Sequence, residues 1–257
     1  MISRRELGDY AKTLGFNLYQ TEKDYLQHAF LASLYGVSGG EFVFKGGTCL
    51  QKAYGLDRFS EDLDFNYDSE KDLAEFLEKA VVRMSAFAEA SVAKSEKKEK
   101  SQSAKIRVRG PLFDGRDKSV QSITVQASLR ERMVLPPRLA GIVPIYADLK
   151  PYAALAMAPE EILAEKVRAV MTRNRGRDVY DLLFLLRKRT RIDFGLVGEK
   201  LGFYGERFEF EKFENAVKDK EKTWTAELRV LLRNVPDFDE TAKEVLDAFK
   251  TGTVQEK

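Results

Sequence analysis

Two residue types that build compact buried chemistry are almost missing from this chain. It has one cysteine, Cys49, and one histidine, His28, in 257 residues. A lone cysteine excludes an intramolecular disulfide, and the two together exclude a cysteine–histidine zinc cluster. His28 lies roughly opposite the apolar stripe of its helix and reads as a surface residue, which argues against histidine-based acid–base chemistry. Long apolar runs are missing too. Nothing approaches the ~18 residues of a membrane span, and Met1-Ile2-Ser3-Arg4-Arg5 leads into no signal-peptide core. The expectation is a cytoplasmic protein with no membrane partner.

What is present describes an ordered chain, with 33% charged residues and 11% aromatics. The net charge of +2 is small, but its distribution is uneven. Between Lys166 and Arg191 nine basic residues are opposed only by Asp178 and Asp181. That run reads either as a solvated helix face or as a surface that tracks phosphates.

Helical spacing of Leu26, Phe30, Leu34 and Val37 predicts a helix opened by Thr21 as N-cap. A short buried strand follows over Glu41 to Phe44, then Gly46-Gly47, then a helix from Thr48 to about Tyr54. Strand, glycine turn and helix N-terminus make an anion site, because small residues allow close approach and free amides point outward. Phe59 to Phe65 alternates as a strand. Asp62 and Asp64 leave one face about 6.5–7 Å apart along it, while Leu63 and Phe65 point to the core. Carboxylates so spaced can share Mg²⁺, whose hard oxygen preference suits phosphate bridging. Further on, the pattern predicts a helix over Ser69 to about Lys94 and a charged loop over Ser95 to Lys100. A hairpin of Ala104 to Leu112 with Ser119 to Leu129 follows, and a strand at Ile145 to Leu149. Pro159 opens a helix whose apolar stripe (Ile162, Leu163, Val167, Val170) contains Lys166. The next helix is apolar nearly all round, so Asp181 on it should be desolvated unless paired with Lys166 or a metal. Asp178 is adequately explained as a cap. The aromatics from Phe203 to Phe213 read as helix packing.

The string Lys45-Gly46-Gly47-Thr48, then Tyr54-Gly55, then Arg58-Phe59-Ser60-Glu61-Asp62-Leu63-Asp64-Phe65 resembles the AbiEii/AbiGii-type branch of the nucleotidyltransferase superfamily. These are toxins of toxin–antitoxin and abortive-infection systems. Glu165-Lys166-x-Arg168-Ala169 resembles that family's third motif and Arg177-Asp178-x-Tyr180-Asp181-Leu182 its fourth. The resemblance implies an α+β fold: a nucleotidyltransferase-like mixed sheet flanked by helices over 1–150, followed by a helical domain over 151–257 that completes the cleft. It implies Asp62, Asp64, Lys166 and Asp181 as catalytic residues, Asp62 and Asp64 as metal ligands, and Lys45, Gly46, Gly47, Thr48, Arg58 and Ser60 around the nucleotide. One departure stands out, since Gln126 or a neighbour occupies the strand where the superfamily usually carries a third acid.

The implied activity is Mg²⁺-dependent transfer of a nucleoside monophosphate from an NTP to the tRNA 3′ end, stopping translation, in a protein with a cognate antitoxin. Two other readings stay open. One is nucleotidylation of a protein or a small molecule, and the other is a nucleotide-binding relative without turnover.

Overall fold

The computed structural model describes residues 1–67, 72–129 and 132–255, with side chains through residue 252. The chain divides into two compact units. The first comprises Met1–Gly55, Phe59–Met133 and Pro137–Ala156; the second comprises Leu56–Arg58, Val134–Pro136 and Met157–Lys257.

The first unit opens with helices α1 (Arg4–Leu14) and α2 (Leu18–Tyr35), then β1 (Phe42–Lys45), α3 (Gly46–Tyr54), β2 (Leu63–Tyr67) and α4 (Leu73–Met84). Strands β3 (Glu89–Lys98), β4 (Ser101–Arg109), β5 (Gln121–Ser128), β6 (Arg138–Ile142) and β7 (Tyr152–Ala156) complete it. All seven strands form one mixed sheet in the order β3-β4-β5-β2-β1-β7-β6. β2 pairs antiparallel with β1 and parallel with β5, and β1 runs parallel to β7. On one face Leu63, Phe65, Ile106, Ile123 and Val125 are fully buried, each such side chain contributing about 1.5–3 kcal/mol of apolar burial. Alternate residues of β4 and β5 on the other face are half-exposed or exposed, as a period-2 strand requires.

Helix α2 is the first unit's central helix, and here the expectation needs correcting. It starts at Leu18, three residues before Thr21, because Asn17 and Gln20 form a reciprocal capping box. Its polar side is as buried as its apolar one: Thr21, Glu22, Asp24, Gln27 and His28 are all in the interior. Asp24 accepts hydrogen bonds from Lys52 (2.7 Å), Gln51 (3.0 Å) and the Tyr146 hydroxyl (2.8 Å). His28 is not a surface residue. It is 8% exposed, and its Nδ1 lies 3.0 Å from the Tyr152 hydroxyl.

Burial, with the Lys52 charge nearby, pushes the His28 pKa down to about 3 against partial opposition from Asp24. A histidine whose folded pKa is depressed is neutral in the fold but takes a proton when unfolded. Its contribution is therefore complete above its unfolded value of about 6.5 and is lost as pH falls toward 3. Because this is the only histidine, we expect wild type to lose about 2 kcal/mol more than His28→Gln between pH 7 and pH 5. Urea unfolding of both proteins at the two pH values checks this, and taking the difference cancels the opposing shift of Glu22, whose carboxyl is raised by burial.

Two further sequence expectations are corrected in the sheet. The helix expected over Ser69 to Lys94 is α4, only Leu73–Met84, and Glu89–Lys98 is the edge strand β3. Residue 69 itself lies outside the described residues. The supposed charged loop Ser95 to Lys100 is thus the end of a hairpin whose strands pair from Glu89↔Arg109 to Lys98↔Ser101. No strand forms at Ile145 to Leu149; β6 and β7 lie on either side of it, and Tyr146 is used to reach Asp24.

The second unit is helical: α5 (Pro159–Thr172), α6 (Gly176–Arg187), α7 (Phe194–Gly202), α8 (Phe210–Lys218), α9 (Glu221–Leu228) and α10 (Phe238–Gln255). Pro159 occupies the first turn of α5, where its missing N–H costs nothing. Phe194, Phe208, Phe213 and Phe249 pack together at centroid distances of 4.7 to 6.2 Å, so Phe208 and Phe213 serve helix packing as expected, whereas Tyr204 is exposed with Arg168 over its ring. Lys200 of α7 is fully buried and pairs with Glu161 at 2.6 Å. Glu161 also accepts the backbone N–H groups of Val134 and Leu135, fixing that short segment to α5.

Candidate active site

β1 ends at Lys45, and the chain turns directly into α3 through Gly46. Gly46 has φ of 75°, a region costly for residues with a side chain. A Cβ there would also stand 2.6 Å from Asp64 Oδ2. The sequence therefore needs glycine twice over at this position, once for the turn and once to leave room for the aspartate. Lys45 is the N-cap of α3 and makes no side-chain cap. The first amides of α3 therefore lack a side-chain acceptor from their own cap, which suits an anion.

The segment carrying the aspartates is held by buried side chains. Thr48 Oγ1 lies 2.5 Å from the Asp62 carbonyl oxygen and 2.8 Å from Ser60 Oγ. Gln27 of α2, fully buried, donates to the carbonyls of Ser60 (3.1 Å) and Glu61 (2.7 Å). Three successive carbonyls are thus captured by two side chains from α2 and α3. Thr48, expected at the nucleotide, is buried, and its hydroxyl holds the aspartate segment. Gln27 was not singled out from the sequence, because a polar residue on a helix gives no hint that a loop 33 residues later will use it.

Asp62 stands one residue ahead of β2 and Asp64 is its second residue; both are half-buried. The register sets Lys45 opposite Asp64 on β1 and Gln126 beside Asp64 on β5. The position where a third carboxylate was looked for is therefore Gln126, exposed and in register with Asp64. Among the described residues no three histidine, cysteine, aspartate or glutamate side chains cluster closely enough to hold a metal. Asp62 and Asp64 offer the hard oxygen donors that Mg²⁺ favours. A protein-only cage is not built here.

The remaining candidates lie in the second unit and are joined to one another. Arg58 makes a two-pronged pair with Asp181, Nε to Oδ1 at 2.6 Å and a terminal nitrogen to Oδ2 at 2.7 Å. Lys166 Nζ reaches Asp181 Oδ2 at 2.6 Å and Asp178 Oδ1 at 2.9 Å. Arg173 closes the chain by a second two-pronged pair, on Asp178. Asp181 and Asp178 are fully buried. Burial alone would raise the Asp181 carboxyl, but Arg58 and Lys166 outweigh it and hold it below the usual carboxylate range. The same contest, won by Lys166 and Arg173, lowers Asp178.

Two expectations change here. Asp178 is not a cap: α6 has Arg175 as its N-cap with no side-chain hydrogen bond, and Asp178 is an ion-pair partner. Arg58, expected beside the nucleotide, is 2% exposed and engaged by Asp181. Nor is the basic run through Arg191 an open stripe. Arg168 lies over the Tyr204 ring, Arg175 and Arg177 face Glu227, and Arg187 binds Glu244.

The family model described as "Nucleotidyl transferase AbiEii toxin, Type IV TA system" matches residues 30–248. No curated protein matches the chain. Among solved structures it is similar to MenT4, a nucleotidyltransferase toxin from Mycobacterium tuberculosis H37Rv, at a TM-score of 0.66 and 18% identity over 96% of this chain and 89% of that one. It is also similar to JHP933 from Helicobacter pylori, with a TM-score of 0.63 and 18% identity over 94% and 98% of the two chains. A third likeness is to a putative nucleotidyltransferase from H. pylori, with a TM-score of 0.60 and 20% identity over 89% and 92%. At these identities the structures speak for the fold, the α+β architecture of a mixed sheet with helices. With its family model spanning most of the sequence, the chain belongs to the AbiEii nucleotidyltransferase toxins of type IV toxin–antitoxin systems.

Proposed function

We propose that this protein transfers a nucleoside monophosphate from an NTP to the 3′-terminal hydroxyl of tRNA, and that Asp62 and Asp64 carry the reaction. The observation that supports this most is the glycine turn that leaves room for Asp64: Gly46 has no tolerable alternative beside that carboxylate. The amides of Gly46 and Gly47 receive the β- and γ-phosphates, and Lys45 offsets their charge. Asp62 and Asp64 are the residues that would hold Mg²⁺, which would supply positive charge to offset the charge that develops on the leaving group. Ser60 and Thr48 position the aspartates.

Asp181, whose carboxyl Arg58 and Lys166 hold below the usual carboxylate range, orients Lys166 and is a poor base. Arg58 acts through Asp181. In the transfer, the acceptor oxygen bonds to the α-phosphorus and the bond from that phosphorus to the β-bridging oxygen breaks. Pyrophosphate leaves, and the acceptor proton passes to an aspartate of the pair. A cytoplasmic reaction controlled by a cognate antitoxin belongs to the same reading. Among the described residues no helix is long and apolar enough to cross a membrane.

Incubating the protein with each of the four NTPs, α-labelled, in cell extract tests the acceptor. Label on tRNA is the expected outcome; label on protein or on a metabolite moves the acceptor to that class. Gln126 beside Asp64 favours one alternative, a nucleotide-binding relative without turnover. Stabilisation by NTP with no pyrophosphate released would establish that alternative.

A further inference from the structure

The sheet row through Asp64 does not end at Gln126. It runs on in register to Ser103 of β4 and Glu96 of β3. Strand alternation puts Thr124 and Ser128 of β5 and Lys105 and Arg107 of β4 on the same face. Helices α2 and α4 cover the opposite face, where Glu22 meets Gln121 and the Leu73 amide donates to Gln102. The face carrying the Asp64 row is uncovered, from half-exposed Thr124 to exposed Lys105.

Its chemistry is specific. Lys94, Lys98, Lys105, Arg107 and Arg109 point to this side against Glu89 and Glu96. Lys94 and Lys105 are directly opposite one another across β3 and β4, a like-charge pairing that costs stability. Glu96 pairs with Lys94, Glu89 with Arg109 and Asp117 with Arg107, so the excess positive charge of this face rests on Lys98 and Lys105, and Lys105 has no ion-pair partner among the described residues. Between these cations and Asp64 the strands offer hydroxyls and an amide. No aromatic side chain stands on this face of β3, β4 or β5, so there is no platform for stacked bases. Cations and hydroxyls without aromatics suit phosphates and sugars rather than base edges.

We propose that this open face of β3, β4 and β5 is the track for the acceptor: an RNA chain lies along it by its backbone and presents its terminal hydroxyl at the Asp64 end of the row. The proposal rests on the nucleotidyl-transfer reading above. The occupant is a polyanion because cations outnumber carboxylates on this face, and RNA because the row leads to a residue assigned to NTP chemistry.

Lys105→Glu provides the test, since it replaces a like-charge cross-strand pair with an opposite one and so should leave the melting temperature unchanged or raised. Fluorescence anisotropy would follow labelled bulk deacylated tRNA and a short single-stranded RNA of mixed sequence, between about 50 and 200 mM salt. Lys79→Glu, an exposed lysine on α4, is the control. Lys105→Glu should weaken RNA binding about tenfold and lower the salt slope by about 1, with stabilisation by NTP unaltered and Lys79→Glu like wild type. A loss confined to tRNA would mean that the track takes a folded end, and a loss with both probes that it takes a single strand. Equal affinity of Lys105→Glu and wild type overturns the track. Wild type that is stabilised by NTP but binds neither RNA overturns RNA as the occupant and leaves the nucleotide chemistry standing. A protein without response to NTP whose RNA binding still falls in Lys105→Glu keeps the track and removes the chemistry.

Discussion

Asp181→Ala should destabilise the protein by about 3–5 kcal/mol, the usual cost of leaving a buried charge without its partner. The carboxylate is fully buried and answers two cations, Arg58 in a two-pronged pair and Lys166 at 2.6 Å. Lys166 retains Asp178, so most of the loss falls on Arg58, which is 2% exposed. Removing both charges is the informative comparison. Arg58→Met with Asp181→Leu should recover a good part of the loss, because a buried pair replaced by apolar groups is often neutral while a broken pair is not. The pH dependence has a definite sign. A carboxylate whose folded pKa is depressed contributes stability that is present above its unfolded value, near 4, and is lost as pH falls through the folded value. The deficit of Asp181→Ala should accordingly shrink below about pH 4. Chemical denaturation across pH checks both points, and a deficit under 1 kcal/mol at pH 7 would contradict the pairing.

Gly46→Ala should lower turnover about a hundredfold, the typical consequence of misplacing a reacting group by about 1 Å. The added methyl meets Asp64 Oδ2 at 2.6 Å, Cβ at 3.2 Å and Cγ at 3.3 Å, so the carboxylate must move away from the start of α3. The positive φ adds backbone strain of about 1–3 kcal/mol, which thermal unfolding would register separately. Gly47 is not among the glycines with positive φ, so Gly47→Ala should lack this backbone strain. If Gly46→Ala turns over like wild type, Asp64 does not act from the position described.

The parts of this fold that were legible in the sequence are those specified over short distances. The Gly46-Gly47 turn, the strand before it and the apolar Leu63 and Phe65 between and after the aspartates each follow from local periodicity or backbone freedom. So does the β4–β5 hairpin. What was not legible depends on residues far apart in the chain. His28 looked solvated because its partner, Tyr152, comes more than a hundred residues later. Arg58 looked like a phosphate ligand because Asp181, 123 residues away, could not be assigned to it. The edge strand β3 was hidden for a different reason. A strand at the edge is wet on both sides, and its lysines and glutamates erase the alternation that marks a half-buried strand. Asp178 was given to helix capping on its position alone, whereas its depressed pKa arises from Lys166 and Arg173.

The central claim is that two aspartates beside a glycine turn transfer the α-phosphoryl group of an NTP with its nucleoside. The most direct measurement compares transfer of label from α-labelled and γ-labelled NTP to RNA, by wild type and Asp64→Asn, with pyrophosphate release followed in the same reactions. Wild type should put α-label on RNA and γ-label only in pyrophosphate, and Asp64→Asn should lose both by at least about a thousandfold, the range attributed to charged groups that act on the reacting phosphate. Label carried over from the γ position, or undiminished transfer by Asp64→Asn, would contradict the claim.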